Sequence, residues 1–91
     1  MAEDREHTHI HVRVSFPISP KGPYEAEDAP DTTVVVVLAA AMDHFKVEDD
    51  SQFTYVLAFD GEEQAGDTTI GSLAGDKDRV EFTLVKKITQ G

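Results

Sequence analysis

The chain ends in Lys86-Lys87-Ile88-Thr89-Gln90-Gly91, and the chemistry that this sequence offers is concentrated there. Before it, Val80-Glu81-Phe82-Thr83-Leu84-Val85 alternates apolar and polar residues as a half-buried strand does. A cationic, extended tail that finishes in glycine fits a narrow active site. Glycine has no side chain to obstruct approach to its own carbonyl. A free glycine carboxylate can be activated by ATP and then taken by a thiol or an amine. These residues point to a protein that is itself a substrate.

The second constellation with possible chemistry is His7, His9 and His11. On a strand, spacing of two places imidazoles on one face, within reach of a single ion. Fraying at His7 would leave two ligands, too few for a closed site, so no metal is assigned. The three histidines then read as a weakly charged outer face that responds to mild acid. The carboxylates are many but scattered: Glu48-Asp49-Asp50 and Glu62-Glu63 read as solvated loop charge. Gly71 and Gly75 form no phosphate-binding pattern. No catalytic residue and no cofactor are assigned, and the chain is not expected to be an enzyme.

Composition narrows the partners. The 91 residues suit one small domain, and 40% of them are apolar, enough for one core. There is no Cys, which excludes disulfides, thiolate metal sites and a thiol nucleophile, and fits a reducing, cytoplasmic compartment. The start, Met-Ala-Glu-Asp-Arg-Glu-His, has no apolar stretch of the kind a signal peptide needs. The formal net charge of −10 repels phosphate backbones and anionic lipid. Nucleic-acid and membrane partners are therefore not expected. A protein partner with a basic face is, and the chain itself is read as a monomer.

The elements that must position the tail follow from periodicity. Residues 1–8 are read as a disordered segment. Ile10, Val12, Val14 and Phe16 alternate with polar residues and predict a first strand. Pro17, Pro20, Gly22 and Pro23 turn the chain, and Tyr24 to Glu27 returns as a short acidic edge strand. Asp31 or a following Thr is expected to cap a helix from about Thr33 to Phe45, with Val34, Leu38, Ala41 and Phe45 on one face. Phe53, Tyr55, Leu57 and Phe59 predict a third strand, and Asp60-Gly61 a tight turn. The stretch from Glu62 to Gly66 holds at most a short strand, and Thr68 to Leu73 one capped turn with Ile70 and Leu73 inward. A last strand runs from Arg79 to Val85, and residues 86–91 form a flexible tail. One helix on one face of a mixed sheet of four or five strands is an α+β two-layer domain over residues 9–85.

This order and spacing resembles the β-grasp fold of ubiquitin. Ala29-Pro30-Asp31-Thr32-Thr33-Val34 is similar to the Pro-Ser-Asp-Thr-Ile stretch that opens ubiquitin's helix. Phe59-Asp60-Gly61 sits where ubiquitin has Phe-Ala-Gly, and Thr69-Ile70 followed by Leu73 is similar to Thr-Leu-Ser-Asp-Tyr. Val80 to Val85 resembles Thr-Leu-His-Leu-Val-Leu, and residues 86–91 lie where ubiquitin has Arg-Leu-Arg-Gly-Gly. Gln90 replaces the first glycine, so the diglycine ending of ubiquitin and of the thiamine- and molybdopterin-type sulfur carriers is absent. Some bacterial ubiquitin-like modifiers depart from that ending, and the acidic, Cys-free chain resembles these most.

The resemblance implies a modifier conjugated through Gly91 to target proteins. Lys86, Lys87, Ile88, Thr89 and Gln90 would be the recognised tail, the two lysines standing where ubiquitin has arginines. An activating enzyme, a conjugating enzyme and a metal-dependent isopeptidase would be the partners. It also implies an apolar docking patch on the outer sheet face at Val56, Ala58, Thr83 and Val85, with Ile18 in the first turn. At Ala58 the smaller side chain predicts weaker docking of ubiquitin-type partners. The competing expectation is a non-conjugated interaction subunit that uses this face and never the tail.

Overall fold

The computed structural model describes residues 9–88. Their order is β1 (Ile10–Ser15), β2 (Tyr24–Asp28), α1 (Val34–Phe45), β3 (Phe53–Phe59), β4 (Glu62–Glu63), α2 (Ile70–Ala74) and β5 (Arg79–Ile88). The strands form one mixed sheet in the order β2-β1-β5-β3-β4. β1 and β5, remote in sequence, pair in parallel at its centre, with Val12 opposite Val80 and Val14 opposite Phe82. The α+β two-layer architecture expected from periodicity is therefore present, with five strands. The segments named 1–8 and 89–91 at the sequence level lie outside the described residues.

Alternation decides which side chains fill the space between sheet and helix. Ile10, Val12 and Val14 of β1, Tyr55 and Leu57 of β3, and Val80, Phe82 and Leu84 of β5 are buried on the inner face. α1 covers them with Val34, Val37, Ala41 and Phe45 at spacings of three and four. Leu38, placed on that face from the sequence, is only half-buried beside it. The run Val34-Val35-Val36-Val37 favours strand by propensity, but its continuation through Leu38-Ala39-Ala40-Ala41 lets helical burial win. Phe16 closes one end of the core, edge-on to Phe45 and Tyr55 at centroid distances of 5.4 and 6.0 Å.

The helix cap differs from expectation. Thr33 is the N-cap of α1, yet no side chain caps it. The reason is that the free amides are already taken by backbone. Thr68 O accepts from Val34 N at 2.8 Å and Gly66 O from Val35 N at 2.9 Å. In return Thr32 O accepts from Ile70 N, the first residue of α2, at 2.8 Å. Thr33 and Thr69 form an antiparallel bridge between these two hydrogen bonds. The two helices thus begin against one another and satisfy each other's first donors. Thr69 does cap α2 with its side chain, accepting from Ser72 N at 3.3 Å. As expected, Ile70 is fully buried; Leu73 is half-buried.

Two turns position the last strand. Asp60 and Gly61 both have positive φ, 55° and 85°, and join β3 to β4 in the two-residue turn that Asp-Gly favours. At the other end of β3, Asp50 Oδ1 accepts from Gln52 N and Phe53 N, each at 2.8 Å. Asp49 Oδ1 accepts from Tyr55 N at 2.9 Å. These two carboxylates of the acidic run are hence the cap of β3, not merely solvated loop charge. The capped end pairs with β5, which continues to Ile88 opposite Phe53. Residues 86–88, assigned to a tail from the sequence, are strand; Lys86 faces Tyr55 and Lys87 faces Thr54 in the register.

Two predictions follow from these contacts. A Cβ at Gly71 would lie 2.8 Å from Pro30 O and 2.9 Å from Pro30 Cβ, with Gly71 N bound to the same carbonyl at 2.8 Å. Gly71→Ala should therefore destabilise the fold by about 1–3 kcal/mol, read by urea unfolding, despite alanine's better helix propensity. The amides of Gln52 and Phe53, and more weakly the Lys86 charge, hold the Asp50 carboxyl below its ordinary pKa. A lowered folded pKa means stability present at neutral pH and lost as pH falls through the carboxylate range. Asp50→Asn should remove that part of the acid dependence and lower stability at pH 7, as urea midpoints across pH 2–7 would show.

Candidate interaction surface and tail base

The helix covers one side of the sheet and leaves the other open. Side chains that alternate away from the core stand on this outer face: His11, Arg13 and Ser15 of β1, Glu81, Thr83, Val85 and Lys87 of β5, and Thr54, Val56 and Ala58 of β3. The register brings four of the five sequence-derived patch residues together. Val56 lies opposite Val85, and Ala58 opposite Thr83. Val56, Ala58 and Val85 are partly exposed, and Thr83 is exposed. They form a narrow apolar strip across β3 and β5. Ile18, the fifth, is 71% exposed on the turn between β1 and β2. That turn leaves β1 just after Ser15, the residue paired with Thr83.

Charge flanks the strip on both sides. Towards β2, Glu25 Oε1 lies 3.1 Å from His11 Nε2, and its other oxygen lies 3.9 Å from Arg13. Arg79 reaches Glu81 at 3.3 Å. These exposed pairs contribute little to stability, but they make this half of the face polar. His11 is therefore a hydrogen-bond partner of Glu25. His9 is exposed and precedes β1, and His7 lies outside the described residues. Among the described residues no three His, Asp or Glu side chains are grouped as a metal site. No described helix is long and apolar enough to cross a membrane.

On the other side, the tail base is held at two points that sequence reasoning missed. Lys87 Nζ donates to Glu63 Oε1 at 2.8 Å. Lys86, on the opposite face, lies over the Phe53 ring with its ammonium 4.1 Å from the centroid. The two neighbouring lysines thus face opposite sides of the sheet, as period-two alternation requires. The signal for the Lys87 contact was present in the Asp60-Gly61 turn. A two-residue turn sets Glu63 opposite Ala58, on the same face as Lys87. Ile88 is 74% exposed at the end of β5. Thr89, Gln90 and Gly91, named as tail and conjugation residues, lie outside the described residues.

No family model matches the chain, and no curated protein matches it. Solved structures do. The ubiquitin of Caldiarchaeum subterraneum aligns at 26% identity and a TM-score of 0.71, over 91% of this chain and 99% of that one. A chain from a structure described as "Molecular Mimicry of SUMO promotes DNA repair" aligns at 16% identity and a TM-score of 0.65, over 87% and 92%. Trypanosoma brucei ATG8 aligns at 8% identity and a TM-score of 0.67, over 98% and 82%. The last two speak for fold alone. The five-stranded mixed sheet grasping one main helix is the β-grasp, and the chain is ubiquitin-like in fold.

Proposed function

We propose that the chain is a protein modifier, joined to its targets through Gly91 in a bacterial, cytoplasmic pathway of the ubiquitin-like kind. An activating enzyme joins the Gly91 carboxylate to AMP and releases pyrophosphate from ATP. A cysteine thiolate of that enzyme displaces AMP and forms a thioester. After transfer to a conjugating enzyme, a target amine attacks the thioester, loses a proton and expels the thiolate. The chain supplies presentation, not catalysis; a metal-dependent isopeptidase would reverse the bond.

The observation that carries this reading is the whole-length likeness to a ubiquitin, joined to the course of β5. β5 brings the chain end out of the middle of the sheet beside the strip. Five residues separate Val85 from Gly91, a span of about 20 Å at full extension. One partner can engage both. A second reading is favoured by the strip itself: a non-conjugated interaction subunit would use Val56, Ala58, Thr83 and Val85, with Ile18, and leave the tail idle.

The tail experiments separate these readings, and a strip variant tests the docking that both require. In N-terminally tagged protein recovered from its host under denaturing conditions, trypsin should cut after Lys87. Conjugated targets should then carry an Ile88-Thr89-Gln90-Gly91 branch in mass spectra; only unmodified Gly91 with the partner genes expressed would sink the modifier reading. Deleting residues 88–91 should abolish conjugate formation with stability nearly unchanged. Val56→Asp with Val85→Asp should cut docking to the activating enzyme by at least tenfold, measured by titration calorimetry, while the tail stays intact.

A further inference from the structure

The Lys87–Glu63 pair has a path as well as a length. Lys87 stands opposite Thr54 and Glu63 opposite Ala58. β3 lies between the two strands that carry them. The outward residue of β3 midway between Thr54 and Ala58 is Val56. The diagonal joining the two charges therefore crosses the sheet at Val56, the centre of the apolar strip. A lysine stem that follows this diagonal crosses the place where an incoming side chain would sit.

We propose that Lys87 is a strap across the strip, so that occupying the strip and anchoring the end of β5 exclude one another. The argument is steric. An aliphatic side chain of a docking protein, seated on Val56 and Val85, takes the volume through which Lys87 reaches Glu63. Losing that pair leaves residues 86–88 with the backbone pairing to residues 53–55 and the Lys86–Phe53 contact. The pair is about half exposed at both ends, 47% and 50%. Such a pair is weak enough for a docking partner to displace. Displacement shifts residues 86–88 towards fraying, and a fully frayed end adds about 10 Å to the reach of the chain beyond β5.

Docking thereby lengthens the reach of the tail. The strap is a property of the folded chain alone. Its use in delivering Gly91 rests on the modifier reading, and Glu63 is then a positioning residue remote from the reacting carboxylate. The acidic neighbours Asp60 and Glu62 beside Glu63 favour a docking side chain flanked by a cation, which would take over Glu63 as Lys87 leaves.

Amide hydrogen exchange of the full chain, read by NMR, tests the strap without any partner. Glu63→Gln should accelerate exchange at residues 86–88 and 53–55 about 1.5- to 5-fold, while Val80–Leu84 stay unchanged. The charge swap Glu63→Lys with Lys87→Glu should restore protection. Val56→Phe puts a large side chain on the strip and should reproduce the Glu63→Gln pattern. Unchanged exchange at 86–88 in Glu63→Gln or in Val56→Phe overturns the proposal. So does equal acceleration in every strand, which marks general destabilisation. Because conjugation is read separately by the branch in mass spectra, failure of the strap and failure of the modifier reading are distinguishable.

Discussion

The structure depends on the parallel pairing of β1 with β5. Parallel neighbours cannot be joined by a tight turn; they need a crossover. Here every other described element lies between them in sequence. Once β1 and β5 are side by side, β2 has only the free edge of β1, and β3 only the free edge of β5. The pairing also assembles the core, because Val12, Val14, Val80 and Phe82 meet in register on the helix side. Its cost is kinetic. The contact spans most of the chain, so loop-closure entropy must be overcome before the centre of the sheet is rewarded.

The same pairing decides what the open face can be. A central strand contributes side chains to both layers, and β5 does so residue by residue: Val80, Phe82 and Leu84 inward, Thr83 and Val85 outward. Its neighbours then set the character of each half of the outer face. β1 and β2 bring Arg13, His11 and Glu25, which pair among themselves. β3 brings Val56 and Ala58. An apolar strip beside a field of mutually satisfied charges is an arrangement in which a protein partner finds area in one half and orientation in the other. The tail base stands at the end of that strip.

Much of this was legible in the residues, because burial follows period and period survives without knowledge of partners. Strand β1 was readable from Ile10, Val12 and Val14, and the outward positions of β3 and β5 from their place between inward ones, whereas a docking patch at Val56, Ala58, Thr83 and Val85 came only from the resemblance to ubiquitin. Helix α1 was readable despite four consecutive valines, since the run was too long for a strand. The failures share one cause: each depended on a segment distant in sequence. No local rule says that Thr68 and Gly66 carbonyls replace a side-chain cap at Thr33. Nor does local pattern end β5 at Ile88, for Lys86 and Lys87 read as solvated tail until Phe53 and Glu63 are placed beside them.

The meeting of the two helix starts limits how this chain can change. Residues 65–67 are exposed and look like an ordinary connection, the kind that tolerates insertion. Their appearance misleads, because the carbonyls of Thr68 and Gly66 accept from the amides of Val34 and Val35. A single added residue would shift those carbonyls and uncap α1, while α2 would lose its own donor's partner at Thr32. The turn at residues 17–22 is tied to the end of α1 by Lys21 Nζ, which donates to His44 O at 2.6 Å, and by Gly22 O, 3.0 Å from His44 Nε2, but among the described residues none of its carbonyls accepts from another element's backbone amide. Lengthening is therefore less costly in the first half of that turn than between the fourth strand and the short helix, although both segments lie on the surface. Descendants of this fold should vary in the former place and keep their spacing in the latter.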